Sequence, residues 1–112
     1  MNEDSLDGSP VIKTGNANHF RGVLAVNGKL TLTGTHLTFR ASRLNLETYE
    51  RSYPLRAVTA VEPRRGLAIV GDGLALLLPG EEEERFVVFG RQQWMREIQH
   101  ARDALAPQKP VE

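Results

Sequence analysis

Hydrophobic and polar positions alternate most regularly in residues 28–40, Gly-Lys-Leu-Thr-Leu-Thr-Gly-Thr-His-Leu-Thr-Phe-Arg. Leu30 and Leu32 alternate with Thr31 and Thr33, and Leu37 and Phe39 with Thr38 and Arg40, the period of two of a half-buried strand. Gly34 and Thr35 interrupt the run. The pattern predicts a tight antiparallel hairpin with Leu30, Leu32, Leu37 and Phe39 facing a core and the threonines facing water. Upstream, residues 19–26 predict a first strand with Phe20, Val23, Leu24 and Val26 as its apolar members, their spacing irregular enough for Gly22 to mark a bulge or bend. Asn27-Gly28 then reads as a type I′ turn, which needs positive φ at both central residues.

Downstream, residues 41–50 are poorly patterned and either extend the neighbouring strands or form a projecting loop. A fourth strand is expected over 49–53, ending where Pro54 imposes a kink or an edge, with Leu55, Val58 and Val61 after it. Arg64-Arg65-Gly66 reads as a turn, 67–70 as a fifth strand, Gly71-Asp72-Gly73 as a turn and 74–78 as a sixth strand stopped by Pro79-Gly80. The glutamates at 81–84 are expected to stay solvated, because adjacent unpaired carboxylates cannot be buried. Residues 85–89 predict a seventh strand, apolar on both faces, so that one face needs a cover. That cover is a helix over 91–105, where Trp94, Ile98, Ala101 and Leu105 form one stripe with Met95 beside it, Gly90 caps the start and Pro107 ends the run.

At 112 residues and 40% hydrophobic the chain is one domain's worth, able to bury a core without staples. It has no cysteine, which excludes a disulfide framework and a thiolate metal site. His19, His36 and His100 lie at no familiar metal-ligand spacing, and no cofactor is expected. Net charge is zero, so any attraction to an anionic partner must be local, and few aromatics for base stacking argue further against nucleic acid. The acidic N-terminus lacks the basic start and apolar run of a signal peptide, and the longest apolar run falls far short of the ~20 residues of a spanning helix. The expected location is the cytoplasm, peripheral at the membrane. Residues 1–10 read as a mobile lead-in, 11–106 as the domain and 107–112 as a tail.

Seven strands followed by one amphipathic helix is the order of a pleckstrin-homology-like (PH-like) barrel. Gly28-Lys29-Leu30-Thr31-Leu32-Thr33, Leu37-Thr38-Phe39, Pro54-Leu55-Arg56-Ala57-Val58 and Phe86-Val87-Val88-Phe89 leading to Trp94 and Ile98 together resemble a GRAM domain of that superfamily, over about residues 17–105. The resemblance implies a mainly β fold, a seven-stranded antiparallel barrel of two packed sheets closed by a C-terminal helix. It also implies a membrane-associated or protein-binding module without catalysis. One departure from inositol-phosphate-binding members is the reduction of the first loop to Asn27-Gly28, with Lys29 the only close cation.

Arg40, Arg43, Leu44, Leu46 and Arg51, with Lys29, are the candidate lipid- or partner-binding residues. Arginines flanking leucines suit contact with anionic headgroups while the apolar side chains enter the interface; the alternative is that the leucines pack beneath the loop and the arginines are merely solvated. Two or three cations contribute only ~1 kcal/mol each near an anionic surface, so a monomer binds weakly and attachment needs avidity from a homodimer or a partner. The same surface, or an edge strand near Pro54, also suits a protein partner or self-association. No nucleophile, base and orienting group occur at recognisable spacing, so the chain reads as a binding module and not an enzyme.

Overall fold

The computed structural model describes residues 8–22, 24–42, 49–65 and 73–105. They form β1 (Val11–Arg21), β2 (Leu24–Thr33), β3 (His36–Ala41), β4 (Glu50–Pro54), β5 (Ala60–Arg64), β6 (Gly73–Leu78), β7 (Glu82–Val88) and α1 (Arg91–Ala104). The leucine–threonine alternation folds into the β2–β3 hairpin, with Leu30 opposite Phe39 and Leu32 opposite Leu37. All four side chains are fully buried on the inner face of the sheet.

The threonines do not face water. Thr31, Thr33 and Thr38 are buried too, because register aligns Thr14, Thr31, Thr38 and Ser52 in one row across β1 to β4. The hydroxyls answer one another: Thr31 lies 3.5 Å from Thr14 and Thr38 lies 3.0 Å from Ser52. Thr33 closes the hairpin, its hydroxyl accepting from the amides of Thr35 and His36.

Strand pairing also corrects the start of the chain. The first strand spans Val11–Arg21 rather than 19–26, and the β1–β2 turn falls at Gly22, whose φ of 65° suits glycine. Asn27-Gly28 is no turn; it lies inside β2, with Gly28 opposite both Ala17 and Ala41. The missing side chain has a packing cause. A Cβ on Gly28 would stand 2.3 Å from the Arg40 carbonyl oxygen and 2.6 Å from Cζ of Phe39.

The strands form one antiparallel sheet in the order β4-β3-β2-β1-β7-β6-β5, not a closed barrel of two packed sheets. β1 is the reason: it pairs with β2 along its length and with β7 through Ala17, Asn18 and His19, so the two halves share backbone hydrogen bonds. The edges, β4 and β5, carry Pro54 and Pro63, which have no N–H to donate. The fifth strand is Ala60–Arg64; the segment 67–70, expected in that role, lies outside the described residues. Arg64 ends β5, bonded to Glu62 and Glu83, rather than opening a solvated turn.

The helix follows the stripe. Trp94, Ile98 and Ala101 are buried in the same cluster as Leu30, Phe39, Leu74, Leu76 and Phe86, so α1 covers the inner face of the curved sheet. The indole lies on Gly15, where a Cβ would meet Cζ2 at 3.3 Å, and Lys13 sits over the ring at 5.0 Å. Arg91 donates to the carbonyls of Arg64 and Gly73, and Arg102 to that of Thr59, tying the helix to β5 and β6. Among the described residues no helix covers the outer face of β7. β7 stops at Val88, and Phe89 is 81% exposed.

Candidate functional site

The β1–β2 turn, the end of β3 with the start of β4, and the β6–β7 turn lie at the end of the sheet away from Trp94, as the pairings Arg21–Leu24, Arg40–Glu50 and His19–Phe86 require. Arg21 and Leu24 sit on the rim of this end, Leu24 being 64% exposed. Just inside it a polar cluster interrupts the apolar core. His19, 1% exposed, points inward between Phe86, 4.8 Å away and stacked, and Phe39. Its Nε2 is 2.6 Å from Oε1 of Glu84, and its Nδ1 is 2.8 Å from the hydroxyl of Tyr49.

These contacts assign the protons. A carboxylate only accepts, so Nε2 carries the hydrogen and donates to Glu84; with the imidazole neutral, Nδ1 is an acceptor and Tyr49 donates to it. Burial holds the His19 pKa below its ordinary value of 6.5, outweighing the hydrogen bond and charge of Glu84, which push it up. Burial likewise raises the phenol of Tyr49 above 10. Arg51 is 3.9 Å from the other Glu84 oxygen. The guanidinium groups of Arg21 and Arg51 lie 4.7 and 5.9 Å from the Tyr49 ring. The Tyr53 hydroxyl is buried nearby, with Glu84 and Arg51 as its polar neighbours but, among the described residues, no partner in hydrogen-bond geometry, and burial raises its pKa strongly.

The glutamate run is therefore divided. Glu81 and Glu82 are exposed, whereas Glu83 pairs with Arg64 and Arg85, which lower its pKa. Glu84, alternate to Glu83 on β7, faces inward to His19. Sequence reasoning placed all four in solvent and passed over His19 and Tyr49; their contacts span 30 and 65 residues and leave no local trace.

The candidate cations fall on two faces. Lys29 and Arg40 are cross-strand partners on the outer face, where with Asn16, Asn27 and Ser42 they line a shallow open depression. Arg40 also donates to Glu50 at 3.2 Å. Arg51, eleven positions after Arg40, belongs to the inner face beside Glu84. The structure thus brings Lys29 and Arg40 together and sets Arg51 apart from them, with Arg21. Arg43, Leu44 and Leu46 lie outside the described residues.

No family model matches the chain, and no curated protein matches it. Solved structures do. The chain is similar to the C-terminal domain of an unknown protein from Leishmania infantum, at 13% identity and a TM-score of 0.75 over 88% of each chain. It is similar to the Vps36 N-terminal PH domain, at 12% identity and 0.69 over 88% of this chain and 83% of that one. The Slm1 PH domain, solved in complex with phosphoserine, matches at 14% identity and 0.64 over 83% and 96%. At these identities the likeness defines the fold alone: one antiparallel sheet and a C-terminal helix of PH-like type. Among the described residues no helix is long and apolar enough to cross a membrane.

Proposed function

We propose that this chain is a non-enzymatic PH-like binding module, of the GRAM type its strand order resembles, which makes weak contact with anionic membrane lipid from the cytoplasmic side and helps recruit a complex there. The supporting observation is the rim, where exposed Leu24 stands beside Arg21, with Arg51 close by. An apolar side chain suits the interface and the guanidinium groups suit phosphate. Arg43, Leu44 and Leu46, which fall between β3 and β4 in the sequence, are side chains of the same chemistry and remain candidates; Lys29 and Arg40 add positive charge on the outer face. Such a small cation count gives weak binding to a monomer, so a homodimer or a membrane-bound partner supplies the avidity.

Co-sedimentation with phosphatidylglycerol vesicles is expected, falling as salt rises and absent with phosphatidylcholine. Equal pelleting with both lipids, or with neither, refutes the lipid reading. The second reading is a protein-interaction or self-association module, which the position of β4 and β5 at the sheet edges supports, with pairing restricted where Pro54 and Pro63 have no N–H to donate. Light scattering showing a stable dimer that ignores vesicles selects it.

A further inference from the structure

Glu84 has a different partner at each carboxylate oxygen. One carboxylate oxygen accepts from His19 at 2.6 Å and the other is 3.9 Å from Arg51. His19 itself is sealed between Phe39 and Phe86, with Val26 opposite it on β2. The charged or titratable groups facing it, among the described residues, are Arg21 from β1, Tyr49, Arg51 and Tyr53 from the β4 side, and Glu84 from β7. With the imidazole neutral, the net charge of Arg21, Arg51 and Glu84 is +1. A proton added at Nδ1 makes it +2, shared among three cations and one carboxylate, with the imidazole itself 1% exposed.

We propose that His19 gates the charge of the rim: neutral, it accepts a hydrogen bond from Tyr49 and shares Glu84 with Arg51, one on each carboxylate oxygen, whereas protonated its added charge holds Glu84 and repels Arg51, freeing that guanidinium toward an anionic surface. On protonation Nδ1 becomes a donor, so the Tyr49 hydroxyl must turn its hydrogen away and accept instead. Arg51, 44% exposed at its side chain, has solvent to swing into; His19 does not. The Ala41 amide, which donates to the Tyr49 carbonyl at 2.8 Å, reports how far the change reaches into the β3–β4 connection. The choice of an anionic membrane as the surface rests on the function proposed above; the gate does not.

Two measurements on the full chain test the gate and keep it distinct from the membrane reading. First, NMR titration in the absence of lipid: the His19 ring is expected to protonate below pH 6.5 in the folded protein, with the Arg51 guanidinium and the Ala41 amide shifting at the same midpoint, and Tyr49→Phe is expected to raise that midpoint by removing the donor to Nδ1. A ring that stays neutral until the protein unfolds, or titrates without moving Arg51, overturns the gate. Second, phosphatidylglycerol vesicles, whose phosphate stays ionised: affinity is expected to rise about fivefold on acidification, the worth of one cation near an anionic surface, and His19→Gln is expected to abolish most of the rise while His100→Gln retains it. An equal rise in wild type and His19→Gln overturns the gate. Absence of binding at every pH refutes the membrane reading, and the lipid-free titration alone then decides the gate.

Discussion

Replacing Gly28 by alanine places a methyl group where β2, β3 and the Phe39 ring already meet. The new carbon would lie 2.3 Å from the Arg40 carbonyl oxygen, 2.6 Å from Cζ of Phe39 and 2.9 Å from Cα of Ala41. Only one of these neighbours is a side chain that can turn. The other two are backbone atoms of the paired strand, so relief requires β2 and β3 to part locally. Overpacking of this kind costs about 1–3 kcal/mol, and the two backbone clashes put Gly28→Ala at the upper end, about 3 kcal/mol. A domain of this length has roughly 6–17 kcal/mol of stability at ~0.05–0.15 kcal/mol per residue, so the variant should fold with a visibly lower midpoint in urea. Trimming the ring in Phe39→Leu removes the 2.6 Å clash and leaves the one with the Arg40 oxygen, so the double variant should recover part of the loss. The cycle predicts a coupling of at least ~0.5 kcal/mol. If Gly28→Ala stays within ~0.5 kcal/mol of wild type, Gly28 is not packed inside a strand and the β1–β2–β3 register is wrong.

Trp94→Ala should destabilise by about 3–5 kcal/mol in the same urea assay, since the indole is 2% exposed between Gly15 and the core, whereas Phe89→Ser, at a residue 81% exposed, should change stability by less than ~0.5 kcal/mol. Tyr53→Phe removes a buried hydroxyl that, among the described residues, has no partner in hydrogen-bond geometry and should leave stability unchanged or raise it by up to ~1–2 kcal/mol; a loss above ~1 kcal/mol would show that the hydroxyl is bonded in solution. The His19 pKa is lowered on folding from 6.5, so the unfolded chain binds more protons below that pH. Its stabilising contribution is complete above pH 6.5 and is lost as pH falls through the lower folded value. The tyrosines act on the other side: Tyr49 and Tyr53 are raised above 10, so stability should decline as pH climbs past 10. Urea midpoints measured across pH check both slopes, and His19→Gln should flatten only the acid one.

Elements whose partners are close in sequence were legible; those whose partners are distant were not. The β2–β3 hairpin is readable because Leu30, Leu32, Leu37 and Phe39 repeat at the strand period around Gly34-Thr35, and α1 because Trp94, Ile98 and Ala101 repeat at the helix period. Asn27-Gly28 misleads because the dipeptide carries a strong turn preference, while the actual reason for glycine is the Phe39 ring and the backbone of Arg40 and Ala41 on the paired strand. Buried threonines mislead in the same way. Their polarity says water, and only the register that lines up Thr14, Thr31, Thr38 and Ser52 satisfies them inside the sheet. At the rim the sequence points to Arg51 but not to Glu84, hidden in an acidic run, nor to His19, a lone histidine in an irregular strand. Their meeting is a consequence of β1 pairing with β7, which no local pattern encodes.

The account depends most on the rim being the part that meets anionic lipid. Amide chemical-shift perturbation on adding phosphatidylglycerol nanodiscs tests this directly. Shifts and broadening concentrated at Arg21, Gly22, Leu24, Tyr49 and Arg51, with α1 unchanged, are the predicted result; a perturbation centred on α1, or none at all, would contradict it.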